Sequence, residues 1–297
     1  MAMTLTDWLN HKRHRDQVAE DSGQWIGLFD DNCEPLFDCP EPMEATAPST
    51  KNAPADGAFS FPIRSPRGVV HPIATELLSD RLGRTDAQGR LTVIPDRPLF
   101  IGFKRRGCPL VFFEVTHAVA EGEGEVPSTL QVNVVSLLNV FRRIPAMSAP
   151  TSWTGVWHTF ERDWVGPADA AVTFKKPRDL QDIKLVTVAD GVTIEGPADV
   201  AITRLVQESV TAAFKAMGVA DDVIHVVPVN SPAPSSPHVL IRPTDQSLWE
   251  TCGALAQSAG VLLSAHMTVP GEDSHPLDRS FAKPTLVVRA QQLEVQA

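Results

Sequence analysis

His158, Glu161 and Asp163 are the residues whose types and spacing come nearest to chemistry. On a helix, one turn would bring His158 and Glu161 together, where an imidazole nitrogen and a carboxylate oxygen can share a metal ion. Two ligands at that spacing recur by chance, so no metal ligand is assigned. Trp153, Trp157 and Trp164 flank the triplet. Large rings at that density point instead to an aromatic contact surface, in a core or at a subunit boundary. Glu272-Asp273-Ser274-His275 also gathers acid, hydroxyl and imidazole, but in a Pro/Gly-rich stretch where these types serve turns. His71, His117, His225, His238 and His266 are scattered, and each reads as an ordinary histidine satisfied within the fold.

Other catalytic spacings are missing. The chain contains neither a Gly-x-Ser-x-Gly elbow nor a His-Glu-x-x-His zinc pair. Gly122-x-Gly124 sits among Glu121, Glu123 and Glu125, which would repel a phosphate. No catalytic residue and no cofactor is therefore assigned, and the expectation is a protein that is not an enzyme. A net charge of −10 argues against a general grip on nucleic acid. The strongest basic run, His11-Lys12-Arg13-His14-Arg15, and the weaker Lys104-Arg105-Arg106 read as solvated faces or loops. Cys33, Cys39, Cys108 and Cys252 lack the CxxC spacing of a metal or redox site and read as reduced thiols. No apolar run approaches the roughly 20 residues of a membrane span, and none at the start resembles a secretory signal.

The elements that must position any site are legible in part. An apolar fraction of 43% with 21% charge is that of a globular chain. Trp25 to Phe29 and Leu36 to Asp38 read as two strands around a polar turn. Residues 39–57, rich in Pro, Ala, Thr and Ser, read as an extended arm or loop, with contacts expected outside its own domain. Pro72 opens a helix of about three turns that runs to Gly83. Strands follow at Leu91–Ile94, Leu99–Phe103 and Leu110–Val115, and Leu130 to Ile144 fits a strand running into a helix. Residues 145–150 mark an internal boundary. Beyond it, Ile183 to Ile194 reads as a hairpin turning at Asp190-Gly191. Gly196-Pro197 opens a helix with Ile202, Leu205, Val206, Val210, Ala213, Phe214 and Met217 on one stripe, stopped by Gly218. Ser247-x-x-Glu250 is a capping box for a helix burying Leu248, Cys252, Leu255 and Ala259 against strands from Val239, Val261 and Thr285.

One segment carries a resemblance. Asp245-Gln246-Ser247-Leu248-Trp249-Glu250, then Ala256-x-x-Ala259-Gly260-x-x-Leu263, then Pro270-Gly271-Glu272-Asp273, then Pro284-Thr285-Leu286-Val287-Val288 is similar to minor tail proteins of long-tailed actinobacterial phages. Those proteins resemble the tail-hub family, found where the tail tube meets the tip. Trp25 to Asp38 looks like that family's early strand pair, and Leu130 to Ile144 is comparable with a later strand-to-helix passage. Family members often continue past the Thr-Leu-Val-Val strand, whereas this chain stops nine residues after Val288. The resemblance thus implies either further hub domains in another protein or likeness to a single module.

The expectations are these. The fold class is α+β, with a β-rich N-terminal domain over 1–146, an arm over 39–57, and a C-terminal α+β domain over 151–297. The resemblance implies a structural virion protein of a siphophage tail tip, assembled in the host cytoplasm. Its partners would be tube, distal tail, tip or fibre proteins and further copies of itself in a ring, with no membrane and no specific nucleic acid. Trp153, Trp157, Trp164 and Trp249 are its candidate interface residues. A hydrolase or carbohydrate-active protein is one alternative, with tryptophans stacking on sugar and an Asp/Glu acid pair. A head–tail connector or capsid accessory protein is another.

Overall fold

Thr4 starts the first helix because its hydroxyl accepts from the Asp7 amide while the Asp7 carboxylate accepts from the Thr4 amide. Two amides that a helix start leaves free are satisfied together. This helix, α1 (Leu5–Ser22), ends at Gly23, whose φ of 86° suits a left-handed cap. The computed structural model describes residues 3–65, 68–79, 84–85, 91–92, 97–122, 127–148, 157–162, 179–186, 193–219, 223–272 and 280–293.

The chain then builds β1 (Gln24–Phe29), β2 (Pro35–Asp38), β3 (Glu44–Thr46) and β4 (Asp56–Pro62). After a short α2 (Pro72–Ala74) and the two-residue strands β5 (Arg84–Thr85) and β6 (Leu91–Thr92) come β7 (Phe100–Arg105), β8 (Val111–Glu121) and β9 (Thr129–Ser136). Seven of these strands form one sheet in the order β2-β1-β7-β8-β9-β4-β3, with every neighbouring pair antiparallel. The sheet is buried on both faces where β1 crosses it. Side chains alternate along a strand, so Ile26 and Leu28 join a core with Phe59, Phe61, Ile101 and Leu130, while Trp25 and Phe29 join a second core.

The second core is completed by the rest of the chain. A 3₁₀ helix, Leu137–Arg142, follows β9 directly and buries Leu137, Leu138 and Phe141. β10 (Trp157–Arg162) and β11 (Asp179–Val186) form an antiparallel pair. β12 (Ile194–Pro197) leads into α3 (Ala198–Met217), which Gly218 ends at φ 65°. β13 (Ile224–Val226), β14 (His238–Ile241), α4 (Leu248–Ser258), β15 (Val261–Thr268) and β16 (Thr285–Gln292) follow. The last sheet has the order β13-β16-β15, parallel on one side and antiparallel on the other. Residues 144–148 are stitched to the start of α4: Leu248 N donates to Ile144 O at 2.8 Å, Asp245 N to Ala146 O at 3.0 Å, and Ser148 N to the Asp245 carboxylate at 2.8 Å. One buried cluster accordingly contains Trp8, Phe29 and Phe112 together with Ile202, Leu248 and Val288. The fold is α+β and β-rich.

Several elements differ from the sequence expectation. Residues 39–57 are not a free arm. Glu44–Thr46 adds an edge strand to β4, Gly57 lies buried inside β4, and the Asn52 amide bonds the backbone of β15 on both its sides. Its outward contacts thus go to the C-terminal half of the same chain. The helix at Pro72 passes after Ala74 into one π-helical turn, Thr75–Ser79, and residues 80–83, where its end was expected, lie outside the described residues. Ile183 pairs with β10 and Ile194 with β14, so the two do not form one hairpin, and Asp190-Gly191 lies outside the described residues. Val239 pairs with β12 rather than with β15 or β16. Met217 is exposed because α3 runs one turn beyond its core contacts. In α4 the buried positions are Leu248, Cys252, Gly253 and Ala256, and Leu255 is half-buried.

Gly27 and Gly102 face each other across β1 and β7, and their missing side chains make room for the rings of Trp25 and Phe29. A Cβ on Gly102 would meet Phe29 Cε2 at 2.5 Å. Gly102→Ala is expected to lower unfolding stability by about 1–3 kcal/mol through overpacking. Urea unfolding checks this, and in a Phe29→Leu background the same substitution should cost much less.

Candidate functional site

The triplet that came nearest to chemistry does not assemble as the helical reading requires. Trp157–Arg162 is a strand, β10, so the single helical turn that would join His158 and Glu161 is not formed. Asp163, Trp153 and Trp164 lie outside the described residues, and Trp157 is located only by its backbone in β10. Trp249 is half-buried, packs against the larger core, and lays its ring on Gly253, where a Cβ would come within 3.1 Å of it. Much of its ring area is therefore used within the chain.

The basic run His11 to Arg15 is a solvated face only in part: Arg13 and His14 are exposed, whereas His11 and Lys12 are half-buried and Arg15 is buried. Trp8, His11, Arg15 and Ala19 recur at helical spacing on the side of α1 that meets β1. Arg15 is only 1% exposed and forms an ion pair with Glu272, so Glu272 is more than a turn residue. Lys12 Nζ donates to Gly271 O at 3.1 Å, which holds the same loop. His11 sits edge-on to Trp8, Trp25 and Phe29, with ring centroids 5.4–6.3 Å away. Arg15 Nη1 donates to His11 Nδ1 at 3.3 Å, which leaves the imidazole proton on Nε2. Burial, helped by the Arg15 charge, lowers the His11 pKa to about 4. Burial also lowers that of Arg15 to about 10, which still leaves it charged at neutral pH. At the rim, Asp38 accepts from Trp25 Nε1 at 3.0 Å and meets His14 Nε2 at 2.6 Å, while Lys104 pairs with Asp16 at 3.1 Å. Arg15 and Lys12 thus fasten the first helix to the loop at Gly271 and Glu272, while His14 and Asp16 tie it to β2 and β7. The helical spacing was present in the sequence, but charged residue types concealed it.

Thiol chemistry is suppressed at three of the four cysteines. Burial raises the pKa of Cys252 to about 12 and pushes those of Cys33 and Cys39 up further, with nearby Asp carboxylates adding to both. Cys108 alone is exposed. Among the described residues no group of three or more His, Cys, Asp or Glu side chains is placed to hold a metal ion.

The best candidate for an interface is a cleft of about 620 Å³ beside edge strand β3. Pro40, Pro42, Pro62 and Pro72 line it, and their fixed φ keeps the walls extended. Ser65 and Val69 line one side, with Ser65 N donating to Val69 O at 2.9 Å. His71 Nδ1 accepts from the Ile73 amide and caps α2. Met43, Val69 and Val70 are 57%, 66% and 44% exposed around the same opening. Contiguous apolar surface of this kind marks interaction sites. Composition pointed to the Pro-rich stretch, but nothing local showed that Val69 and Val70 would meet it. No protein-family model matches the chain, and no curated protein sequence matches it.

Two outcomes are expected at the α1 junction. Arg15→Met should cost about 3–5 kcal/mol by leaving Glu272 without its cation, and Arg15→Met with Glu272→Met should recover most of the loss. Urea unfolding of the single and double variants measures both. The second concerns pH. His11 takes a proton below about pH 4 when folded but below 6.5 in the unfolded chain. Between these values the unfolded chain binds more protons, so this contribution is complete above 6.5 and is lost as pH falls towards 4. Because the ring keeps some contact with water, the loss should be about 1–2 kcal/mol. The stability of wild type relative to His11→Asn should therefore decline between pH 6.5 and 4.5; parallel curves would refute the assignment.

Proposed function

We propose that the chain is a structural component of the tail tip of a long-tailed phage, a hub or adaptor between the tail tube and tip or fibre proteins. The observation that carries this reading is the apolar cleft beside β3, with Met43, Val69 and Val70 exposed around one opening in a chain of net charge −10. A surface of this type is costly to leave in water and is removed from it by a neighbouring subunit. The resemblance of residues 245–288 to tail proteins supplies the kind of assembly. Within the fold, parts of that segment act as fasteners: Asp245 to Leu248 hold residues 144–148, and Glu272 holds α1. Rigid attachment of distant parts of one chain suits a subunit whose task is geometric. In a closed ring the same two patches would meet at every junction. Assembly would take place in the host cytoplasm, with other tail-tip proteins and further copies of this chain as partners.

The test is Met43→Asp combined with Val70→Asp. Both side chains are exposed, so the isolated variant should melt within a few degrees of wild type. Incorporation into phage particles, measured by immunoblot of purified virions after complementation, should fall at least about tenfold, as expected when interface anchors are lost. Normal incorporation of the double variant would remove this cleft from the assembly surface.

A further inference from the structure

A second cleft lies where the turn after β7 and the start of β8 face β15. It encloses about 500 Å³, within the range of about 300–1,000 Å³ typical of small-ligand sites. Its floor is apolar and closed, formed by Phe112, Leu137, Leu138 and Leu263, each no more than 7% exposed. One wall is the stretch 47–53, and it is held firmly. Asn52, at φ 49°, donates from Nδ2 to Val261 O and accepts at Oδ1 from Leu263 N, both at 2.7 Å. The amide thus pairs with the free edge of β15 as a short strand would. The opposite wall is the turn Arg105 to Cys108, closed by Cys108 N donating to Arg105 O at 3.0 Å.

The charge of this cleft departs from that of the chain. Among the described residues no Asp or Glu lines it, although the chain carries 36 acidic against 26 basic residues. Lys51, from the stretch 47–53, and Arg105, from the end of β7, both line it, and both are exposed. Many other cations in the fold have found a carboxylate. Lys104 pairs with Asp16, Arg106 with Glu20, Arg143 with Glu114 and Arg204 with Glu208. Among the described residues, Lys51 and Arg105 have none; Arg105 rests on the Phe103 ring at 5.2 Å. An apolar floor below two cations with no carboxylate partner among the described residues matches one kind of molecule: an apolar body carrying a single anionic group.

We propose that this cleft binds a small amphipathic anion, a carboxylate or sulfonate on an aliphatic or aromatic body. The body fills the space above Phe112, Leu138 and Leu263, and the anion sits between Lys51 and Arg105. The proposal does not rest on the tail-tip reading.

The test uses the full chain and two probes of the same shape. 1-Anilinonaphthalene-8-sulfonate carries the anion, and N-phenyl-1-naphthylamine is its uncharged counterpart. Fluorescence titration should give saturable binding of the sulfonate at one per chain, at least tenfold tighter than the neutral probe. Lys51→Gln with Arg105→Gln should weaken the sulfonate at least tenfold and leave the neutral probe unchanged, with the melting temperature of the variant unaltered. Cys108, the exposed thiol at the cleft wall, should be alkylated by iodoacetamide several-fold more slowly when the sulfonate is bound. Equal affinity for the two probes, no effect of the double variant, no protection of Cys108, or no saturable binding would each overturn the proposal.

Discussion

A β-sheet with apolar side chains on both faces needs a cover on each side, and that requirement organises this molecule. In β1, Ile26 and Leu28 point to one core while Trp25 and Phe29 point to the other. The first face is closed by side chains of the same sheet and by the helical turns that start at Pro72, through Phe59, Phe61, Ile73 and Leu77. The second has no cover within the sheet. It receives α1 from the N-terminus and the helices and three-stranded sheet of the C-terminal half, so sequence-distant segments must meet over it. The facing glycines Gly27 and Gly102 follow from the same demand, since the rings of Trp25 and Phe29 occupy the space that their side chains would fill.

Closing that second face brings Arg15 under the cover, and its charge has to be answered there. Taking a guanidinium out of water costs several kcal/mol unless an opposite charge and good hydrogen bonds replace the solvent. Glu272 supplies the charge and His11 accepts one of the donors. A hydrophobic residue at position 15 would satisfy burial as well. It would not distinguish the loop at residues 270–272 from any other apolar surface, whereas a charged partner does. The pair therefore acts on specificity of docking more than on net stability. Burial holds His11 neutral, and the Arg15 guanidinium beside the ring reinforces it.

The surface left over is uneven in an informative way. Prolines beside β3 frame an apolar opening with three exposed side chains, while the cleft facing β15 combines an apolar floor with two cations that have no carboxylate partner among the described residues. The two are separated by the stretch from Pro40 to Ala53, which lines the first at one end and the second at the other. Its backbone is secured by β3 pairing and by Asn52, so neither opening depends on the segment being free to move.

Local signals in the sequence were sufficient where the physics is local. The Ser247–Glu250 capping box, the Gly218 stop of α3, the β1–β2 pair and the passage from β9 into a helical turn are each decided by residues within a few positions of one another. Alternation and helical period report that a face is buried, but not what buries it. For that reason the partners of Ile183, Ile194 and Val239 were misassigned, and the 39–57 stretch read as an arm although its edge strand and Asn52 bonds lie within the chain. The triplet around His158 read as a helical pair because a three-residue spacing has no meaning until the secondary structure is known, and β10 is a strand. Arg15 and His11 were the deepest omission. A charged residue is expected in water unless a partner meets it, and that partner, Glu272, lies more than 250 positions away, where only the closed tertiary fold brings it.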